Sequence, residues 1–216
     1  MKPKRKQSNI PKLNYELGLI KKGHKNIAGL DEVGRGALAG PVVAAACILN
    51  HEKRIYKIRD SKLLSPSKRK ELARKIKRQA KCWAIGFAKH SEIEKVGIQQ
   101  ATFMSFSRAL SKLEKEIDFI LVDAFRIPHC KTRQKNIIKG DRVCVSIAAA
   151  SILAKVYRDN LMEKLSKKYP GYGFEKHKGY GTKQHLKCLE KLGPCKIHRR
   201  NFKPVKKILI PKRSEA

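Results

Sequence analysis

The chain has 216 residues, and its 51 Lys and Arg against 18 Asp and Glu give a formal net charge of +33. A positive field of this size far exceeds what solubility requires and attracts polyanions, which favours nucleic acid as the partner. With 41% apolar residues the chain can bury a real core, which excludes a purely solvated basic tail.

The sequence shows no sign of a membrane span or a secretory signal. No apolar stretch approaches ~18 residues, and the N-terminal MKPKRKQSNIPKLNYELG lacks the apolar core of a signal peptide. The six cysteines are scattered without a CxxC pair, and several lie in apolar runs, as buried free thiols do. This usage fits a reducing compartment, so we expect a cytoplasmic protein.

The first elements follow a basic segment. Residues 1–25 hold eight basic residues and one acid, which predicts a mobile arm. The runs IAGLD, VVAAACIL and CWAIGFAK are apolar or β-prone and predict the strands of an N-terminal sheet. Between the second and third runs, Ser65 can cap a helix and Pro66 can occupy its first position.

Further helices and a strand complete a mixed α/β pattern. The stretch IQQATFMSFSRALSKLEKEI spaces its apolar residues on one helical face and leads into FILV, a buried strand by its composition. The segment VSIAAASILAKVYRDNLMEKLSKKY predicts a long helix whose small residues permit close approach of another element. No internal repeat interrupts the pattern, which favours one α/β domain with basic ends.

The scarce carboxylates fall at informative positions. Asp31, with Glu32 beside it, comes after IAGL, and Asp123 comes after FILV, at or near carboxyl ends of strands, where open α/β sheets place their sites. Asp141 precedes the long small-residue helix and can reach the same edge. Four converging carboxylates repel one another, which raises some of their pKa values unless a cation neutralises them. Hard oxygen ligands without a His or Cys cluster favour Mg²⁺ or Mn²⁺.

Each acid taken singly has an alternative as a helix cap or as the partner of a lysine. That alternative weakens for acids that jointly follow two strands. A carboxylate cluster inside a basic field suits phosphate binding when metal ions invert its sign. Two such ions about 4 Å apart activate water and stabilise the leaving oxygen in phosphodiester cleavage.

Five stretches, in order, closely resemble the bacterial type 2 ribonuclease H family, ribonuclease HII. They are LDEVGRGALAGPVVAAACIL, DSKLLSPSKRKELA, ILVDAFRIP, IIKGDRVCVSIAAASILAKVYRD, and YPGYGFEKHKGYGTKQHL with LGPCKIHRRNF. The resemblance runs from about Ile27 to Val205. It implies an α/β ribonuclease H-like fold, with a five-stranded mixed sheet flanked by helices and a helical C-terminal part. The catalytic domain would span residues 26–205, between a basic arm (1–25) and a basic tail (206–216).

The resemblance also implies the site residues. The four carboxylates that bind two divalent ions in the family, Mn²⁺ or Mg²⁺, match Asp31, Glu32, Asp123 and Asp141. The positions that contact substrate in the family match Gly34, Arg35, Gly36, Ser61, Lys62 and Tyr180. Among these, the GRG stretch matches the element that recognises the ribonucleotide 2′-OH, and Tyr180 matches the tyrosine that stacks on the sugar at the RNA–DNA junction. Glycines let the backbone come close to that hydroxyl.

The activity that the resemblance implies is a metal-dependent endoribonuclease. It would cleave the RNA strand of RNA–DNA hybrids and incise duplex DNA 5′ of embedded ribonucleotides, leaving 3′-OH and 5′-phosphate ends. We expect a monomer that binds these duplexes and no membrane. Ala37 and Ala124 depart from the family's usual proline and glycine, but neither position supplies a side-chain ligand.

Several alternatives remain at this level. A non-enzymatic protein that coats RNA would explain the charge equally well but not the acids at strand ends, and a related nuclease acting on DNA junctions would share fold and metals. A zinc site could use His185, Cys188, Cys195 and His198, although packing and backbone contacts are the favoured roles. The glycines beside Tyr180 are expected to free its loop, and the alternative for this residue is a core tyrosine.

Overall fold

A computed structural model describes residues 11–50, 58 and 64–209, and within these ranges the chain forms five strands and eight helices. The strands are β1 (Ile27–Val33), β2 (Val42–Ile48), β3 (Cys82–Ala88), β4 (Phe119–Asp123) and β5 (Gln134–Ile137). The helices are α1 (Asn14–Ile20), α2 (Pro66–Gln79), α3 (His90–Leu110), α4 (Gly140–Val143), α5 (Val145–Lys168), α6 (Phe174–His177), α7 (Lys183–Leu192) and α8 (Lys203–Leu209). None of the helices in these ranges has the length and apolar content needed to cross a membrane.

The strands form one mixed sheet in the order β3-β2-β1-β4-β5. The pairs β1–β2 and β2–β3 are antiparallel, whereas β1–β4 and β4–β5 are parallel. The central strand β1 is apolar and fully buried over most of its length because helices cover both faces of the sheet. This arrangement confirms the five-stranded mixed sheet and the α/β class predicted above.

Glycines mark where helices approach the sheet most closely. A Cβ on Gly29 of β1 would lie 2.2 Å from the backbone carbon of Ser146 in α5. On the other face, a Cβ on Gly86 of β3 would lie 2.1 Å from the backbone oxygen of Ser105 in α3. The buried small residues of α5 continue this close contact as Ala148, Ala149, Ala150 and Ser151. The predicted role of small residues in this helix is therefore confirmed.

The second half of the predicted basic arm is folded. Helix α1 begins at Asn14, and its apolar side chains pack against a buried cluster that includes Ile147 of α5. The backbone N–H of Lys12 donates to the carbonyl of Val143 (3.2 Å). The expected mobile arm is therefore wrong for residues 11–25, because α1 contains no Lys or Arg and packs Tyr15, Leu19 and Ile20 on the core. Residues 1–10 lie outside the described ranges.

The C-terminal part is helical, as the resemblance implies. Helices α6, α7 and α8 follow α5 and pack their apolar residues with Leu38, Ala39 and Met162 into two small clusters beside the main core. Helix α8 continues to Leu209, past the expected domain boundary at residue 205. This part contributes the loop that carries Tyr180 to the edge of the sheet where β1 ends.

Candidate active site

Parallel pairing of β1 and β4 brings the first two aspartates together. Leu30 pairs with Val122 in the register of these strands, so the next residues along, Asp31 and Asp123, are neighbours at the same sheet edge. Successive side chains of a strand alternate between faces, and Asp31 shares the face of Gly29, which is covered by α5. The sequence prediction that two strands deliver carboxylates to one edge agrees with this register.

Asp141 reaches this edge through the turn between β5 and α4. Lys139 has a positive φ of 56°, which reverses the chain, and the N–H of Gly140 then donates to Asp123 Oδ1 at 2.6 Å. A Cβ on Gly140 would lie 2.6 Å from Ile147 Cδ1 and 3.3 Å from Asp123 Oδ1. Glycine at this position lets the turn close over β4, and Asp141 is buried beside it.

The carboxylate edge, defined as Asp31, Glu32, Asp123 and Asp141, brings like charges together. Burial raises the pKa of Asp31 well above its usual value, and repulsion from Glu32, Asp123 and Asp141 adds to the increase. Burial also raises the pKa of Glu32 to about 7, with Asp123 adding to the effect and the charge of Arg35 opposing it. Glu32 Oε2 is buried without a hydrogen-bond partner among the described residues.

These features fit a hard divalent cation. Within the described ranges, no three His, Cys, Asp or Glu side chains already stand in ligand geometry around one point. Part of the reason is local, since Asp123 Oδ1 accepts from Gly140 and Glu32 Oε1 lies 3.6 Å from Arg35 Nη1. The unsatisfied oxygen of Glu32 and the mutual repulsion at Asp31 are what a cation would relieve. An all-oxygen donor set suits Mg²⁺ or Mn²⁺.

Three residues beside this edge were not singled out by sequence reasoning. Ser151 of α5 hydrogen-bonds the Asp31 carboxylate, which orients it and opposes the rise of its pKa. Gln99 accepts a hydrogen bond from Arg35 Nη2 at 2.9 Å, and the ring of Phe125 lies 4.2 Å from Arg35 Cζ. Ser151 was interpreted in the sequence only as a small residue. Gln99 lies 64 residues from Arg35, so no local pattern connects these two side chains.

The two glycines of the GRG stretch differ in whether the backbone and its neighbours leave room for a side chain. Gly34 has a φ of 92°, and a Cβ there would lie 2.2 Å from Arg158 Nε. Gly36 has no positive φ, is exposed, and a Cβ there would meet no atom of the described residues within 4 Å. The fold therefore requires glycine at position 34 but not at position 36.

Tyr180 lies next to the GRG stretch and is half-buried. It forms an isolated antiparallel bridge with Ala37, one residue beyond that stretch, and its ring lies 5.3 Å from Arg158 Cζ. A Cβ on Gly179 would lie 2.6 Å from the backbone oxygen of Ala39, and one on Gly181 would lie 3.1 Å from Leu38 Cδ1. The expectation that these glycines free the loop is wrong, because they allow it to pack closely. Ser61 and Lys62 lie outside the described ranges.

The histidine and cysteine residues considered for zinc make contacts of another kind. The N–H of Cys195 donates to His198 Nδ1 (2.9 Å), so His198 carries its proton on Nε2 and donates to His185 Nε2 (3.0 Å). His185 Nδ1–H in turn donates to the carbonyl of Tyr180 (2.9 Å). Burial lowers the pKa of both histidines to about 4. The favoured roles of packing and backbone contact are confirmed for these rings.

The chain is similar to known proteins over most of its length. A family model described as Ribonuclease HII matches residues 28–205. A Ribonuclease HII from Desulfitobacterium hafniense is 50% identical over 197 residues, which cover 91% of this chain and 76% of the relative. The ribonuclease H2 from Pyrococcus horikoshii superposes with a TM-score of 0.73 at 26% identity, covering 85% of this chain and 97% of that one. Bst-RNase HIII in complex with Mn²⁺ superposes with a TM-score of 0.65 at 23% identity, covering 85% of this chain and 69% of that one. At this identity the likeness concerns the fold alone.

Proposed function

The chain belongs to the ribonuclease HII family, whose members are ribonuclease H hydrolases acting on RNA–DNA hybrids, and we propose that it also incises duplex DNA 5′ of single embedded ribonucleotides. The proposed reaction hydrolyses one phosphodiester and leaves a 3′-OH on the upstream strand and a 5′-phosphate on the ribonucleotide. Two divalent ions, Mn²⁺ or Mg²⁺, would serve it.

The observation that carries the proposal is the unexplained glycine at position 36. An exposed residue with an ordinary φ and open space around its Cα has no need to be glycine for folding. A substrate whose sugar approaches the backbone supplies the need, because a Cβ would occupy the space of the ribose. Since RNA differs from DNA at a single nucleotide by the 2′-OH, a backbone in contact with the ribose can select the ribonucleotide.

The carboxylate edge would hold the ions. Asp31, Glu32, Asp123 and Asp141 provide the oxygen donors, with Asp31 oriented by Ser151. When bound, such ions lower the pKa of a water molecule and stabilise the charge on the leaving oxygen. The chain's own contribution is to bury Asp31 and Asp141 and to hold Glu32 and Asp123 partly buried beside them, where bulk water competes less for the carboxylates.

Arg35 and Tyr180 would hold the nucleotides on either side of the cut. Arg35 is placed by Gln99 and Phe125, and its guanidinium can exchange Glu32 for a phosphate oxygen of the substrate. The half-buried ring of Tyr180 offers a flat surface for the deoxyribose that follows the ribonucleotide. Ser61 and Lys62 are proposed as contacts to the strand backbone. The excess positive charge would draw in the duplex without selecting its sequence.

We propose that the protein acts as a monomer in the cytoplasm. Its six cysteines are free thiols, which suits a reducing compartment. All the groups assigned to the reaction come from one chain, so a second copy has no role in the proposed site. The proposed partners are RNA–DNA hybrids and duplex DNA that contains ribonucleotides.

Cleavage of a labelled DNA duplex with one central ribonucleotide tests the proposal. We expect a single cut 5′ of the ribonucleotide in Mg²⁺ or Mn²⁺ and none in EDTA, with an all-DNA duplex left intact. Binding without cutting in either metal would favour the RNA-coating alternative. Cutting of a four-way DNA junction in preference to this duplex would favour the junction-nuclease alternative.

A further inference from the structure

Arg199 is a fully buried arginine whose hydrogen bonds within the described ranges all go to neutral backbone carbonyls. Its Nε donates to Gly40 (3.0 Å), its Nη1 to Arg35 (2.8 Å) and its Nη2 to Gly34 (2.7 Å). Burial, and then the charge of Arg158, lower the pKa of this guanidinium. A buried charge that meets no carboxylate in these bonds is costly, and an apolar side chain often fills such a space at no loss of stability. The contacts therefore suggest a role beyond stability.

The geometry of the peptide group shows what these bonds accomplish. All peptide bonds in the described ranges are trans, so the C=O of one residue and the N–H of the next point in opposite directions. Because the carbonyls of Gly34 and Arg35 point at Arg199, the N–H groups of Arg35 and Gly36 point away from it. Both N–H groups therefore lie on the side of the stretch that faces away from Arg199, and Gly36 itself is exposed.

Arg158 holds the neighbouring loop in a similar way. Its Nη1 donates to the carbonyl of Lys178 (2.9 Å), two residues before Tyr180, and its Nε and Nη2 donate to Pro41 (3.0 Å) and Ala39 (3.1 Å). Arg158 is fully buried as well. The GRG stretch and the Tyr180 loop thus each rest on a guanidinium that fixes their backbone.

We propose that Arg199 is a positioning residue for ribonucleotide selection, which acts by aiming the N–H groups of Arg35 and Gly36 at the ribose 2′-oxygen. The inference rests on the proposed function of the GRG stretch. A fork with three donors in one plane is needed to hold three carbonyls at once, and lysine, with one flexible ammonium, cannot reproduce it. Charge alone is therefore not the property that position 199 requires.

The test compares Arg199→Lys with Arg108→Lys, which is a matched control. Arg108 also donates to a backbone carbonyl, that of Phe87 in β3 (2.8 Å), but it pairs with Glu92 away from the carboxylate edge. Steady-state rates are measured on duplexes with one ribonucleotide or one 2′-fluoro nucleotide at the same position. For Arg199→Lys we expect kcat on the ribonucleotide duplex to fall about tenfold, while KM stays within about twofold because the phosphate contacts persist. The ratio of the rates on the 2′-OH and 2′-fluoro duplexes should become smaller. Arg108→Lys should keep both the rate and the preference.

Arg199→Gln serves as a second variant if the lysine variant does not fold, since it removes the buried charge and keeps two N–H donors. Rates are expressed per folded protein. A wild-type kcat and 2′-OH preference in a folded Arg199 variant would overturn the inference, as would equal losses in the Arg108 control. Failure of the wild-type enzyme to cut at the single ribonucleotide would instead contradict the proposed function, so the two failures are distinguishable.

Discussion

The carboxylate edge and the layer beneath Tyr180 handle buried polar groups in opposite ways. The arginine–histidine layer consists of Arg158, His177, His185, His198 and Arg199. Its ring nitrogens and guanidinium groups find partners inside the protein, as when His177 donates from Nε2 to the carbonyl of Tyr172 (2.7 Å) and accepts at Nδ1 from Gly179 (3.2 Å). At the carboxylate edge, by contrast, acids repel one another and Glu32 Oε2 lacks a hydrogen-bond partner among the described residues.

This difference indicates that the arginine–histidine layer supports the fold, whereas the carboxylate edge is the candidate site. The fold completes the hydrogen bonding of the layer, so the layer needs nothing further to be stable. The charge repulsion at the carboxylate edge is a cost that the rest of the structure offsets, as expected of the proposed ion site. Substitutions at the carboxylate edge should therefore lower activity without lowering stability, whereas substitutions of the histidines of the layer should mainly lower stability.

The largest effect is expected at the carboxylate edge, from Asp31→Asn or Asp123→Asn. Loss of either carboxylate should reduce turnover by orders of magnitude while hybrid binding persists or tightens, because a negative charge near phosphate is removed. In EDTA, Asp31→Asn should melt at a temperature no lower than the wild type, since repulsion is relieved. Mn²⁺ should raise the melting temperature of the wild type more than that of the variant. Near-normal turnover in both variants would contradict the assignment of these residues.

The second effect concerns the ring that lies between the two regions. Tyr180→Ala should lose most cleavage at a single embedded ribonucleotide while folding and the Mn²⁺-induced rise in melting temperature are retained. Tyr157→Ala is the control, because Tyr157 is a partly exposed tyrosine of α5 that is not assigned to the site. A core role for Tyr180 would instead lower the melting temperature and leave the activity of the folded fraction intact.

The glycines of the GRG stretch divide between site and scaffold. Gly36→Ala should keep the wild-type melting temperature and lose roughly tenfold in cleavage of the ribonucleotide substrate, the order of one lost contact of about 1.4 kcal/mol. Gly34→Ala should destabilise the protein by roughly 1–3 kcal/mol, because its φ is 92° and the new methyl group meets Arg158. Thermal melts and rates on the same preparations separate the two. Equal destabilisation by both substitutions would remove the distinction.

The smallest effect is the pH dependence of the layer. The pKa values of His185 and His198 are lowered to about 4 by burial, so the unfolded chain binds more protons than the folded chain between that value and about 6.5. Stability should fall as the pH drops through this window, by up to roughly 1 kcal/mol per histidine and pH unit. Urea titrations from pH 7 to 4.5 measure the slope, which should be shallower in His185→Gln. The control variant His129→Asn, which replaces an exposed histidine, should leave this slope of stability against pH unchanged.

Much of the sheet was predictable because its strands are locally distinctive. Apolar runs predicted β1 through β4, and Ser65 does accept a hydrogen bond from the N–H of Lys68 at the start of α2. Strand β5 has the sequence QKNI, whose mainly polar residues suit an edge strand and carry no apolar signal. Helix α3 begins at His90, before the predicted segment, and contains a kink at Gly97 with a φ of 76°.

The site was predictable to the extent that its residues sit at strand ends or in motifs. Register explains why Asp31 and Asp123 could be paired from sequence. Arg199 could not be assigned, since in a C-terminal segment rich in lysine and arginine nothing distinguishes a buried guanidinium from a solvated one. Its role depends on carbonyls at positions 34, 35 and 40, about 160 residues away in the chain. Such long-range contacts carry no periodicity that a local pattern could reveal.

The docking of α1 has a consequence for how the protein is made. Glu16 Oε1 accepts hydrogen bonds from the N–H of Ser146 (2.7 Å) and from Cys144 Sγ (3.1 Å), so it caps the first turn of α5 from 130 residues upstream. During synthesis the ribosome releases Glu16 long before its partner exists, and β1 must wait as well for the helix that covers it. The cap of α5, which carries Ser151 and Arg158, therefore forms only after the first helix of the chain meets residues that are synthesised about 130 positions later.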